Sequence, residues 1–168
     1  TTIAAAHLEG LGSIEQVARA KGELFRALPA DGHAFFLQDV PYRELALQDV
    51  YAQQHPIGPP LWTLSDLRHS QMGSAASLLF DEERHTLEIQ LSGAHQLRNA
   101  LLALAVGLHC GAPLSTLLRG LSMCPPPKLR GELRPLVGGG TQWVDCYNAN
   151  PQSTLASLKT YWERGERG

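Results

Sequence analysis

The sequence predicts an α/β fold, and three patterns carry that prediction. Apolar residues recur at helical spacing in three stretches, from Ile14 to Leu28, from Leu97 to Leu108 and from Leu155 to Trp162. Between them lie short apolar runs that alternate with polar residues, most clearly Leu87, Ile89 and Leu91. Clusters of Pro and Gly, around Pro56 to Pro60, Pro125 to Pro127 and Gly138 to Gly140, punctuate the runs. Helices and strands mixed along one chain make an α/β protein.

The elements follow in order. Ser13 with Gln16 forms a capping box at the start of a helix whose apolar positions are Ile14, Val17, Ala18, Phe25 and Leu28. Gly32 to Leu37 is a short buried strand ending at Asp39, and Pro41 forces a turn. Tyr42 to Gln53 has helical patterning that the Pro56–Pro60 cluster ends. Leu61 to Leu64 is a strand. Ala76 to Phe80 and Thr86 to Leu91 are the arms of a β-hairpin around Asp81 to His85. Gly93-Ala94-His95 introduces a strong helix with Leu97, Leu101, Leu104, Ala105 and Leu108 on one face, and Gly111 ends it. A shorter helix runs from Pro113 to Leu121, with Ser115 as a start signal. Pro125 to Pro127 make a stiff joint. Leu129 to Val137 and Gln142 to Cys146 are strands about the Gly138–Gly140 turn. A last helix starts at Gln152, with Leu155, Leu158 and Trp162 inward.

Composition excludes several classes. A chain of 168 residues with 43% hydrophobic and 18% charged residues is a soluble globular protein. A net charge of -2 gives no electrostatic footprint for nucleic acid or an anionic membrane. No apolar run approaches the roughly 20 residues that span a bilayer, and TTIAAAHLEG lacks the basic and apolar regions of a signal peptide. Three widely spaced cysteines, Cys110, Cys124 and Cys146, fit neither a disulfide framework nor a zinc site and suggest a reducing, cytoplasmic setting. The chain has no G-x-x-x-x-G-K-[ST] loop. Its abrupt ends suggest an internal portion of a longer protein.

Lys21 stands seven residues after Ile14 and four after Val17, which places it on the inward stripe of its helix. Two readings are open. Its stem covers apolar surface while the head reaches water, or desolvation leaves a neutral amine able to add to carbon dioxide. A carbamate made that way would suit magnesium, which prefers oxygen ligands. His7 is then either a second ligand to the same ion or a structural histidine.

Three patches together resemble one family. His7-Leu8-Glu9-Gly10, Gly12-Ser13 and Ala20-Lys21-Gly22-Glu23 resemble the AHLEGFGS…AKGEI signature of the Mur ligases. Gly93-Ala94-His95 with Asn99-Ala100 resembles their G-x-H-N-x-x-N-A helix start. Val144 to Pro151 resembles the D-D-S-Y-N-A-N-P opening of their C-terminal domain. The resemblance implies part of the central, P-loop NTPase-like ATP-binding domain over residues 1–133. The start of a Rossmann-like C-terminal domain would follow over 134–168. It implies an ATP-dependent amide ligase of peptidoglycan precursor synthesis working through an acyl phosphate, with ATP and Mg2+ as cofactors. The HLEG and YNANP forms resemble the branch that joins D-alanyl-D-alanine to UDP-N-acetylmuramoyl-tripeptide, as a monomer in its full-length form. A related ligase, of folylpolyglutamate type for instance, and a decayed non-catalytic binding paralogue are the alternatives.

Carried onto this chain, the resemblance makes His7 a magnesium ligand and Lys21 the carbamylated lysine, with Glu9 a weaker metal candidate. Asn99 and Gln96 would contact adenine, Arg130 would face the phosphates, and Asp145, Tyr147 and Asn148 would approach the nucleotide. Each has a local rival. Asn99 can serve its own helix start, and Tyr147 to Pro151 can be an ordinary strand-to-helix connection. Gln96, Val144 and Cys146 depart from the family pattern, as do Leu37 and Val40 beside Asp39.

Overall fold

The computed structural model describes residues 3, 8–70 and 73–163. The chain divides into two compact units, Thr1–Pro60 and Leu61–Gly168. The first holds α1 (Leu8–Leu11), α2 (Ile14–Arg26), β1 (His33–Leu37), α3 (Arg43–Ala46) and β2 (Gln53–Ile57). The second holds β3 (Trp62–Ser70), β4 (Gly73–Phe80), β5 (Glu83–Ile89), α4 (Ala94–His109) and α5 (Leu114–Met123), then β6 (Glu132–Pro135), β7 (Thr141–Val144) and α6 (Pro151–Glu163).

In the first unit α2 starts where its sequence says it should. Ser13 takes the N-cap in extended conformation, and its hydroxyl accepts the Gln16 N–H at 3.3 Å. The helix buries Val17, Ala18 and Gly22. Val17 and Ala18 join Ile3 and Ala46 in a small core, with Ile14, Val40 and Leu45 packed on its rim. Gly22 permits that contact, because a Cβ there would lie 2.5 Å from the Ala46 carbonyl oxygen. The close approach turns the buried line toward Gly22 and leaves Lys21 exposed, not on the inward stripe that spacing alone assigns it.

β1 and β2 pair in parallel, from His33 opposite Gln53 to Leu37 opposite Ile57. The stretch read as a helix from Tyr42 to Gln53 holds only the four residues of α3, and Gln53 opens a strand. A parallel pair needs a crossover of a dozen or more residues, and the segment between β1 and β2 is that crossover. Pro56, expected in a loop, sits within β2, where a strand with one paired neighbour tolerates the missing donor.

In the second unit β3, β4 and β5 form an antiparallel meander. The β4–β5 loop is tighter than expected. Phe80 pairs with Glu83, so Asp81 and Glu82 alone make the turn, at φ 51° and 63°. Positive φ at both central residues is the I′ conformation that matches the strands' twist. Against β4 and β5 packs α4, which buries Leu97, Ala100, Leu101, Leu104 and Ala105 as its spacing predicts. Its end is a Schellman motif, with Ala112 N–H donating to Gly107 O at 3.0 Å and Gly111 N–H to Leu108 O at 2.9 Å.

Four further expectations are corrected. α5 starts after Pro113, whose carbonyl accepts from Thr116 and Leu117, so Ser115 is not its start signal. Leu129 lies outside β6 at φ 65°, and that strand is only Glu132–Pro135. β7 is Thr141–Val144, so Asp145 and Cys146 fall beyond the strand. On α6 the side chains of Leu155, Leu158 and Trp162 are exposed, and the packed face is marked by Ser157 and Thr160. Ser157 accepts a hydrogen bond from Trp143 Nε1 at 2.9 Å, which turns the polar side of α6 toward the β6–β7 hairpin.

Two substitutions test these local arguments by urea denaturation. Ser13→Ala should lower stability by about 1 kcal/mol through loss of the cap. Glu82→Gly should raise it by about 1 kcal/mol, because glycine removes the left-handed backbone penalty.

Candidate functional site

A bulge in β3 sets the geometry of the second unit's cavity. Ser65 pairs with Ser77, but Arg68 pairs with Ala75, so β3 carries one extra residue, with Asp66 at φ 52°. One extra residue exchanges the faces of everything beyond it. His69, not Arg68, therefore stands opposite Ser74, on the face that β4 buries. His69 Nδ1 lies 2.8 Å from Ser74 Oγ. The same buried hydroxyl accepts the Gly93 N–H at 2.9 Å, immediately before α4.

Gly93 is held in that position by its own lack of a side chain. Its φ is 114°, and a Cβ would lie 2.6 Å from the His95 ring and 2.9 Å from Thr160 Oγ1. The result is a cavity of about 510 Å³ lined by Leu67, His69, Ala94, His95, Lys159 and Thr160, among others. His95 keeps exposed surface, but the cavity walls thin the water around its ring. That partial dehydration is the main reason its pKa falls below the ordinary value of 6.5. The Asp145 carboxylate opposes the shift, while the cationic forms of His69 and Arg130 reinforce it.

Arg130 and Tyr147, assigned to the nucleotide from sequence, do meet. The guanidinium lies 4.3 Å from the ring centroid, within cation–π range. Leu129 arranges this, since its carbonyl accepts both the Cys146 N–H at 3.1 Å and the Tyr147 N–H at 3.2 Å. Asp145 is half-buried beside this turn, and Asn148 is exposed. Asn150 is a cap: its Oδ1 accepts the Ser153 N–H at 2.9 Å, while Ser153 Oγ accepts the Asn150 N–H at 3.0 Å. With Pro151 as the first residue of α6, this is a reciprocal capping box. Across the first two turns of α4, Asn99 Nδ2 donates to Gln96 Oε1 at 3.2 Å, so these two amides form one polar edge.

In the first unit Lys21 lines a cavity of about 280 Å³ with Ala20, Leu24, Phe25, Phe36 and Leu37, among others. Its exposed position leaves the amine accessible from solvent. His7 lies outside the described residues, and so does the Glu9 side chain, whose backbone is in α1. Sequence reasoning missed His69, Ser74 and His95 as site residues. His95 was visible in the Gly93-Ala94-His95 motif, whereas nothing in the sequence marks the bulge that aims His69.

Comparison with known proteins fits this architecture. Residues 1–107 match the Mur ligase middle domain. The chain is 29% identical over 160 residues to the UDP-N-acetylmuramoyl-tripeptide–D-alanyl-D-alanine ligase of Haemophilus influenzae, covering 93% of this chain and 34% of that protein. It is 31% identical over 163 residues to the same-named ligase of Bacillus subtilis, covering 95% and 34%. It is also 33% identical over 164 residues to a UDP-N-acetylmuramoyl-L-alanyl-D-glutamate–2,6-diaminopimelate ligase of Chlamydia caviae, covering 95% and 34%. Among solved structures, MurF from Acinetobacter baumannii superposes with a TM-score of 0.86 at 23% identity, covering 96% of this chain and 36% of that one. MurF from Thermotoga maritima in complex with ADP gives 0.80 at 21%, covering 96% and 38%. The chain is an α/β protein that belongs to the Mur ligase family through its middle domain. It spans about a third of the length of the curated relatives it matches.

Two measurements check this geometry. Ser74→Ala strands the Gly93 N–H and should cost about 1–3 kcal/mol in urea unfolding. The pH dependence has a definite sign. His95 holds its proton less tightly when folded, so the unfolded chain gains more from acid. Stability should therefore fall as pH drops below about 6.5 toward the lower folded value, and a His95→Gln thermal-melt series should lose that part of the slope.

Proposed function

We propose that this chain is the nucleotide-binding portion of an ATP-dependent amide ligase of peptidoglycan precursor synthesis. The ligase joins D-alanyl-D-alanine to UDP-N-acetylmuramoyl-tripeptide. The observation that carries this reading is the family match over residues 1–107, together with relatives of that name aligned along nearly the whole chain. Residues 1–133 then belong to the central domain and 134–168 open the C-terminal one.

The residues suit the groups such a reaction needs. The Gln96–Asn99 amide pair offers both a donor and an acceptor, as an adenine edge requires. Arg130, braced on Tyr147, presents a cation suited to phosphate. For magnesium, Lys21 fits only as its carbamate, since an ammonium has no lone pair to give; its exposed amine is open to that reaction. The chemistry runs in two steps. A substrate carboxylate oxygen attacks the γ-phosphorus of ATP and ADP leaves. The incoming amine then attacks the acyl phosphate carbon, and phosphate departs. Magnesium supplies charge neutralisation to the transferring phosphoryl group. The residues named here orient the reactants.

One specific observation supports the alternative of a non-catalytic relative. Val144, where the family pattern has Asp, is buried at the end of β7. Nucleotide binding separates the two readings. By saturation-transfer NMR, ADP should contact the chain through its adenine protons, with the signal reduced in Asn99→Ala; an absence of contact favours the non-catalytic reading. In 13C-bicarbonate the chain should show a carbamate carbon that Lys21→Ala abolishes. Because these 168 residues include no phosphate-gripping loop, they should form no amide when given ATP and both substrates, and measurable ligation would overturn that expectation.

A further inference from the structure

β1 and β2 place two imidazoles against each other, and neither has a role in the proposed ligase reaction. Phe35 pairs with His55 in the parallel register, and His33 lies two residues earlier on β1. His33, Phe35 and His55 therefore share one face of the pair, opposite the buried Ala34 and Phe36. Phe35 stacks on His55 with centroids 4.5 Å apart and planes at 13°, which restrains that ring. Both histidines are half-buried. His33 Nδ1 lies 2.9 Å from His55 Nε2.

We propose that His33 and His55 form a two-imidazole site for a borderline transition-metal ion such as Zn2+ or Cu2+. The separation of the two nitrogens is that of neighbouring donors on one ion. With ring centroids 5.1 Å apart the nitrogens face each other directly, so binding turns both lone pairs toward a common point. Two metal–nitrogen bonds of about 2.0–2.1 Å meeting at about 90–110° span roughly 2.9–3.4 Å between the nitrogens. The observed separation lies at the short, right-angled end of that range. Without metal, the same separation holds one N–H···N hydrogen bond. On binding, the proton between the rings moves to the outer nitrogen of the ring that carried it, and both facing lone pairs are given to the ion. No proton is released while both rings are neutral. In acid, a proton taken up by either ring competes with the metal for its nitrogen. Remaining coordination positions are left to water or a further donor. Imidazole nitrogens select zinc and copper over magnesium, so this site is chemically distinct from any carbamate–magnesium centre at Lys21, and it does not depend on the ligase reading.

The test uses the full chain with 15N-labelled histidines and Zn2+ as the probe. Substoichiometric Zn2+ should shift the ring resonances of His33 and His55 before those of the other histidines, and an equal amount of Mg2+ should not. By calorimetry, His33→Gln or His55→Gln should weaken Zn2+ binding by at least about tenfold, the lower bound of what losing even a supporting partner costs a metal site. His85→Gln should leave binding unchanged. The proposal is overturned if the two rings do not shift first, if Mg2+ shifts them equally, or if both Gln variants bind as the parent chain does. The resonance assignment decides the matter even where a variant folds poorly.

Discussion

A single buried hydroxyl organises the second unit. Ser74 Oγ accepts the N–H of Gly93 and touches Nδ1 of His69, so one atom ties the start of α4 to two neighbouring strands. A buried donor without a partner costs more than an ordinary hydrogen bond contributes, and this oxygen is the acceptor that the Gly93 N–H uses. Removing it would loosen the first turn of α4, which carries His95 and Gln96, with Asn99 one turn on. The Gln96–Asn99 amide pair and the cavity thus rest on one contact rather than on separate local features.

The first unit is organised by close approach instead. Gly22 lets α2 meet α3 at the backbone, and the small core of Ile3, Val17, Ala18 and Ala46 follows from that. Its consequence for Lys21 is chemical. Lys21 is placed at a cavity rim in contact with water, within reach of small molecules from solvent.

Long, strongly periodic elements were legible in the sequence. α4 could be read residue by residue, because sixteen residues of spacing and a terminal glycine agree. The Ser13 cap and the β4–β5 hairpin were legible for the same reason: local chemistry and pattern point the same way. What failed was decided by partners distant in sequence. Gln53 looks helical until β1 pairs with it. Leu155, Leu158 and Trp162 look inward until Ser157 accepts from Trp143 and turns the helix over. Of the residues that motif resemblance assigned to the nucleotide, Arg130 and Tyr147 touch each other, whereas His69 was invisible because its placement depends on strand parity.

That parity restricts the ways in which this gene segment can change. Substitutions at Asp66 or Leu67 alter one side chain each. Deleting a single codon there would let β3 pair regularly with β4, which is locally the simpler sheet. It would leave Arg68 opposite Ala75 and His69 opposite Ser74, because the codon lost is the bulge residue itself. What the strand cannot absorb is loss of the bulge at unchanged length: regular pairing of the same residues onward from Ser65 would put Arg68 opposite Ser74 and turn His69 away from the mouth of α4.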